Sequence, residues 1–340
     1  MLLIALLVSV QVSAYDFTVG GLYYDILSQD DLTCAVVAGD EPYSGSIIIP
    51  ERVTYGGQTM AVVAIGVSAF YEDPVTSVVI GNSVKDIGLN AFCYCSSLEH
   101  VTFGNSVENI GAYAFQECYN LKDFIFPNTL RSIGRMAFTY CLGLTKLTIP
   151  NSVTELGHGV FHWCENIEEA TVSNSVVTMD GTFDCCRNLE RVVIGSSVTK
   201  IMPRTFYLCD NLRTIYLLNP VPPTVLEPSQ FTQQNYANAT LYVPEGSLSA
   251  YQAADPWMNF YSIKEFEATG VSDVEAAGLS VGADGGNIIV ENAHGRISVY
   301  TVSGALVSSA DADGGRVTIA VPGHGVYVVK AGGKAVKVSL

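Results

Sequence analysis

Ile110-Gly-Ala-Tyr-Ala-Phe115-Gln-Glu-Cys118 is followed one period later by Ile133-Gly-Arg-Met-Ala-Phe138-Thr-Tyr-Cys141. The shared phenylalanine recurs along the chain at Phe70, Phe92, Phe115, Phe138, Phe161, Phe183 and Phe206, in steps of 22 or 23 residues. Three residues after each copy but the first stands a cysteine: Cys95, Cys118, Cys141, Cys164, Cys186 and Cys209. Three further on comes Leu98, Leu121, Leu144, Ile167, Leu189 or Leu212. Short alternating runs follow, such as Val101-Thr-Phe103, Phe124-Ile-Phe126, Leu147-Thr-Ile149 and Val192-Val-Ile194. Their period of two is that of a strand with one face turned inward. Turns written Gly104-Asn-Ser106, Pro127-Asn-Thr129 or Pro150-Asn-Ser152 close each strand, with residues that reverse a chain and satisfy its amides locally. A second apolar pair, as in Val107 with Ile110, completes the unit.

A unit this short cannot bury its own apolar stripe, so successive units must stack, each Phe on the next. The predicted fold is therefore a repeat solenoid: a leucine-rich-repeat right-handed coil of seven turns over 60–219, with a parallel β-sheet along one side. An uncovered terminal turn would expose core and an open strand edge. Residues 15–59 are expected to form an N-terminal β cap and 220–267 a C-terminal cap. Two turns break the pattern and are expected to be irregular. The first has Asp73 in place of cysteine, and the sixth is one residue short around Met179-Asp180.

The unit resembles the BspA-like (Treponema-type) leucine-rich repeats of bacterial surface proteins, Ile-Gly-x-x-Ala-Phe-x-x-Cys-x-x-Leu-x-x-Val-x-Ile-Pro-x-Ser-Val. The resemblance implies a surface protein that contacts host matrix or another cell. Beyond Phe266 the composition shifts to Gly, Ala and Val. Strands are expected at Asn287–Val290, Ile297–Val302, Val317–Val321 and Val326–Lys330, forming a small antiparallel β-sandwich over 268–340. Ile297-Ser-Val-Tyr-Thr-Val-Ser-Gly304 and Gly325-Val-Tyr-Val-Val-Lys330 resemble the C-terminal domain that directs cargo through type IX secretion in Bacteroidetes. An ordinary terminal sandwich serving as a spacer is the alternative.

The bulk composition narrows the function classes. Of 340 residues, 49% are hydrophobic and 15% charged, which is a folding chain rather than a disordered one. The net charge of -16 is spread evenly over 15–59, 60–219 and 220–340. With no basic patch, nucleic acid is not an expected partner. Met1 to Ala14 is an apolar run ending Val12-Ser13-Ala14, read as a signal peptide although it has no Lys or Arg; a buried first strand is the alternative. It is too short to span a bilayer and no other stretch is longer, so no transmembrane segment is expected. The expected location is the cell surface or the extracellular space.

No catalytic motif emerges. His100, His158, His162, His294 and His324 make no metal-binding pair at helix spacing. A Cys-His nucleophile from His162 and Cys164 is conceivable only if the column cysteine is exposed. Six cysteines in one column point the same way into the core, which suits buried free thiols; bridging of neighbours and a metal ladder are the alternatives. Cys34, Cys93 and Cys185 lie outside the column. The chain is read as no enzyme, with no cofactor and no metal.

Two surfaces are candidate binding sites for an unknown protein or glycan. The first is the outward strand face: His100, Thr102, Asp123, Ile125, Lys146, Thr148, Glu169, Thr171, Arg191 and Tyr216. Asp123, Lys146, Glu169 and Arg191 alternate in sign along it, as in a cross-strand ion-pair ladder. The second is an aromatic edge two residues after the core Phe: Tyr94, Tyr140 and Trp163, with Tyr113, Tyr119 and Tyr207 nearby. Either these rings pack over the next turn or they stand exposed as a hot spot or sugar platform.

Overall fold

The computed structural model describes residues 15–227, 230–266, 280–284, 287–291, 293–301, 306–313, 316–323, 325–331 and 334–339. The expected signal peptide and His324 lie outside them.

The seven phenylalanines stand in single file. Their rings are at most 1% exposed, and neighbours from Phe70 to Phe206 lie 4.7 to 6.0 Å apart with ring planes within 23° of parallel. The file runs into both caps, to Tyr43 at 4.6 Å and Phe231 at 5.6 Å. One apolar core therefore extends from Phe17 to Phe260.

The cysteine column explains itself in hydrogen bonds. Each thiol donates to the carbonyl oxygen of the Phe in the turn before, from Cys95 to Phe70 (2.9 Å) through Cys164 to Phe138 (3.0 Å) to Cys209 on Phe183 (3.1 Å). A small apolar side chain with one donor is what that position needs. All nine cysteines are buried and unbridged.

Close approach of turns is secured by glycine. At Gly88, Gly111, Gly134 and Gly157 an added Cβ would meet the preceding turn's backbone at 2.3 to 2.7 Å. In the sixth turn the residue after Met179 is Asp180. A second ladder of two-residue parallel strands, formed by the Ile-Gly segments, divides there: one sheet ends at Glu155–Leu156 and another begins at Thr178–Met179. The sequence pointed to a single sheet, but the apolar pair that closes each turn also forms backbone ladders, and the N-terminal cap strands join the first of them.

The main parallel sheet is interrupted as well. Val75–Ile80 lies between Gly45–Ile49 and His100–Thr102 and pairs with both, and a separate sheet begins at Lys146–Thr148 and continues through Glu169–Thr171, Arg191–Ile194 and Thr214–Leu217 into the cap. The expected strand Phe124-Ile-Phe126 is not one. Its two aromatics instead turn edge-on to each other at 4.9 Å, and both pack on Phe138. The first turn, expected to be irregular, keeps both its strand and its place in the file.

Two short helices close the coil, Gln233–Asn238 and Leu248–Ala253, neither of which was expected. Here Gln230 Oε1 accepts the Phe206 amide and Asn235 Nδ2 donates to the Cys209 carbonyl, replacing the next turn that is no longer there. Among the described residues the C-terminal region has seven strands rather than four, in two antiparallel sheets. Ser280–Asp284, Leu306–Asp313 and Lys334–Ser339 are the additions. Ile288, Val290 and Ile319 of one sheet share a core with Ile297, Val299 and Val329 of the other, so the pair is a small sandwich.

Candidate functional site

The strand face places most of its predicted residues in register. Lys146, Glu169, Arg191 and Thr214 are directly paired, as are Thr148, Thr171, Val193 and Tyr216 in part. His100 and Thr102 belong to the other sheet, opposite Ser77 and Val79. Ile125 is 41% exposed in the gap between the two sheets. Val193, which lies between Thr171 and Tyr216 in register, is buried.

The expected ion-pair ladder is only partly made. Lys146 Nζ lies 3.2 Å from Glu169 Oε1. Asp123 instead accepts the amides of Thr145 (2.6 Å) and Lys146 (3.1 Å) and the Thr145 hydroxyl (2.6 Å). With no strand at 122–126, those amides lack ladder partners, and a carboxylate that accepts them is held more firmly than one facing an exposed ammonium. Arg191 lies over the Tyr216 ring at 4.6 Å rather than on Glu169, and Tyr216 stacks on Tyr242 at 4.6 Å. A depression lined by Lys146, Thr148, Glu169, Thr171 and Arg191 encloses about 30 Å³, room for a water rather than a small molecule. Ligands of this face would be held on its surface.

The aromatic edge is built by an unusual backbone. In every turn the residues two before and two after the core Phe adopt left-handed conformations; the second column is Glu72, Tyr94, Glu117, Tyr140, Trp163, Cys185 and Leu208, with φ of 57 to 63°. Non-glycine residues rarely enter this region. The signal was present in the fixed offset from Phe, but side-chain type alone does not disclose it. Tyr140 and Trp163 are half-buried and stack on each other at 5.6 Å, with Arg187 over Trp163 at 5.5 Å. Tyr94 is 37% exposed and meets Tyr71 edge-on at 5.6 Å. Tyr119 and Tyr207 are exposed, and Tyr113 is half-buried. Two ring pairs, Tyr71 with Tyr94 and Tyr140 with Trp163, thus pack along the edge while keeping part of each ring open. Tyr71 and the carboxylates of Glu72 and Glu117 belong to this edge and were not singled out in sequence, because the column is defined by backbone conformation and not by residue type.

A polar cluster under the C-terminal half of the edge was also missed. Asp184 is buried and receives Arg204 on both oxygens, at 2.7 and 3.2 Å. His162 Nε2 lies 3.5 Å from it and the Cys185 thiol donates to it at 3.2 Å. Ligand atoms of His162, Asp184 and Cys185 fall within 4.8 Å of one another. Burial pushes the Cys185 thiol up to about 12, and burial lowers the His162 imidazole. With a guanidinium on both carboxylate oxygens and the thiol donating to one of them, the cluster satisfies its own charges. His162 and Cys164 do not form a nucleophilic pair, because Cys164 is fully buried and donates to Phe138.

Comparison with known proteins gives the following. A family model described as BspA type leucine rich repeat region matches in six copies over 63–182 and 133–241. Among solved structures, a leucine-rich repeat protein from Bacteroides ovatus is similar at 27% identity, covering 74% of this chain and 67% of that one, with a TM-score of 0.55. The T. pallidum leucine-rich repeat protein is similar at 28% identity over 56% of this chain and 87% of that one, TM-score 0.51. A leucine-rich cell surface protein from Faecalibacterium prausnitzii is similar at 25% identity over 73% and 72%, TM-score 0.53. No curated protein matches the chain. No helix among the described residues is long and apolar enough to cross a membrane.

Proposed function

The chain belongs to the BspA type leucine rich repeat family, and from that premise we propose that it is an exported binding protein that recognises protein or glycan ligands, adhesin-like, on the surface of its coil. The leucine-rich-repeat coil is a scaffolding and binding architecture rather than a catalytic one. The observation that carries the reading is the aromatic edge, where Tyr71, Tyr94, Tyr119 and Tyr207 each keep 37 to 40% of their surface open, Tyr71 against Tyr94 and Tyr207 under Arg204. Tyrosine and tryptophan held rigidly and half exposed are the side chains from which binding hot spots are made.

The strand face from His100 to Tyr216 is the second candidate surface. Cell-surface or extracellular placement is supported by the F. prausnitzii relative, which is called a cell surface protein. In the same reading residues 1–14 are a removable leader, 15–59 and 220–267 cap the seven turns of 60–219, and 268–340 is a sandwich that sorts or anchors the protein, similar to type IX secretion cargo domains. Host matrix is the partner class that the family resemblance suggests.

One observation favours a different role. The central strand face satisfies its own charges, with Lys146 on Glu169 and Asp123 on backbone amides, as a passive spacer in a surface layer would. A binding screen of the full chain against host matrix proteins and a glycan array separates the two. Saturable binding that weakens in Trp163→Ala supports recognition by the coil; absence of any saturable ligand leaves the spacer.

A further inference from the structure

The two halves of the aromatic edge solve the same electrostatic problem differently. In the last three turns, each ring with a nearby carboxylate also holds a guanidinium. Arg187 sits 5.5 Å from the Trp163 centroid with its Nε 3.3 Å from Glu165 Oε1. Arg204 sits 4.6 Å from the Tyr207 centroid with its Nε 2.7 Å from Asp184 Oδ2. The first three turns present the same pairing of rings and carboxylates. Tyr119 donates its hydroxyl to Glu117, and Tyr71, beside Glu72 in the chain, meets Tyr94 edge-on at 5.6 Å. Yet no ion pair or cation–π contact reaches Tyr71, Tyr94, Tyr119, Glu72 or Glu117 among the described residues. The segments 66–74, 88–96 and 111–119 contain no lysine or arginine at all.

We propose that this first half of the edge, from Tyr71 to Tyr119, takes cationic side chains from a lysine- or arginine-rich extended segment of a partner protein. The assignment rests on the binding reading above and names its ligand class. A phenol that donates to a carboxylate keeps an electron-rich ring face beside an uncompensated negative charge, and a cation over such a face is attracted by both. The left-handed column holds Glu72, Tyr94 and Glu117 at successive turns. With core rings 4.7 and 5.1 Å apart per turn, Glu72 and Glu117 stand about 10 Å apart along the coil. Residues three apart in an extended segment of polyproline-II form span about 9 Å and point to the same side. The matching partner therefore carries its cations at every third position, and the chain's overall charge of -16 draws it in from a distance.

The test is a titration of the full chain, in physiological salt, with a fluorescent glycine-serine peptide bearing two arginines three residues apart, and with the same peptide bearing citrulline, which is neutral and isosteric. The arginine peptide is expected to bind saturably and the citrulline peptide about tenfold or more weaker. Tyr94→Leu and Glu117→Gln are each expected to weaken the arginine peptide about fivefold. Glu155→Gln, an exposed carboxylate on another side of the turn, should leave it within about twofold. Leucine is compatible with this backbone, since Leu208 occupies the same column at φ 59°. Equal binding of the two peptides, equal loss in Glu155→Gln, or no saturation overturns the assignment. A ligand from the screen that binds Tyr94→Leu and Glu117→Gln as well as the parent overturns this assignment alone and leaves the general binding reading standing.

Discussion

The thiol of Cys164 donates a hydrogen bond to the carbonyl oxygen of Phe138, one turn back, at 3.0 Å. The same carbonyl accepts the amide of Cys141 in its own turn at 3.2 Å, so both of its lone pairs are used deep in the core. The relationship repeats six times and makes each cysteine a donor as well as a filler.

It follows that the folded protein hides its thiols and that alkali destabilises it. Burial pushes Cys164 up to about 12, while an unfolded thiol ionises near 9. Between those values the unfolded chain releases protons that the folded chain keeps, so stability present below the unfolded value is lost as pH rises toward the folded one. The melting temperature should fall steadily from about pH 8.5 upward. A disulfide-exchange reagent should titrate none of the column thiols natively and all of them in denaturant. A flat melting profile up to about pH 10.5 would contradict this.

Phe138 lies between Phe115 and Phe161 at 5.1 and 5.6 Å. Phe138→Ala should cost about 3–5 kcal/mol and uncouple the turns on either side, read as new proteolytic cleavage in the middle of the coil. A digestion pattern identical to the parent's would count against the stack.

Gly157→Ala tests the close approach of turns. An added Cβ would stand 2.3 Å from the Arg135 amide nitrogen, which is backbone and cannot swing aside. Denaturant melts should show a loss of about 1–3 kcal/mol. An unchanged midpoint would mean that the turns are spaced more widely than described.

Asp184 and Lys146 should differ sharply. Asp184→Ala leaves a buried site where Arg204 and Cys185 have lost their acceptor, at a cost of about 1.5–3 kcal/mol. Lys146→Ala breaks a pair exposed by 61% and 39%, and should cost under about 1 kcal/mol. Equal effects in chemical denaturation would refute the distinction.

How much of this was legible in the sequence follows from how local each cause is. Stacking of Phe70 through Phe206 was legible because burial at a fixed period is written in residue type. The loss of the strand at Phe124 was not, since its alternation is strand-like and only contact with Phe103, Phe126 and Phe138 redirects it. Asp123 and Arg191 looked like rungs of a ladder because register alone pairs them. Free backbone amides and an adjacent Tyr216 ring compete for them and win. The two helices of the C-terminal cap are six residues each, too short for a periodic signal. Of the edge, Tyr94, Tyr140 and Trp163 were legible as rings at one offset; the left-handed backbone that projects them, and the alternation with Glu72 and Glu117, required the coordinates.

Hydrogen–deuterium exchange of the full chain, with and without a saturating ligand from the binding screen, tests the central claim most directly. Recognition by the coil predicts protection on the connecting segments 68–74, 90–96, 113–119 and 140–142, or on the strand face from His100 to Tyr216. Protection confined to the terminal sandwich at 280–339, with the coil unchanged, would show that binding belongs elsewhere.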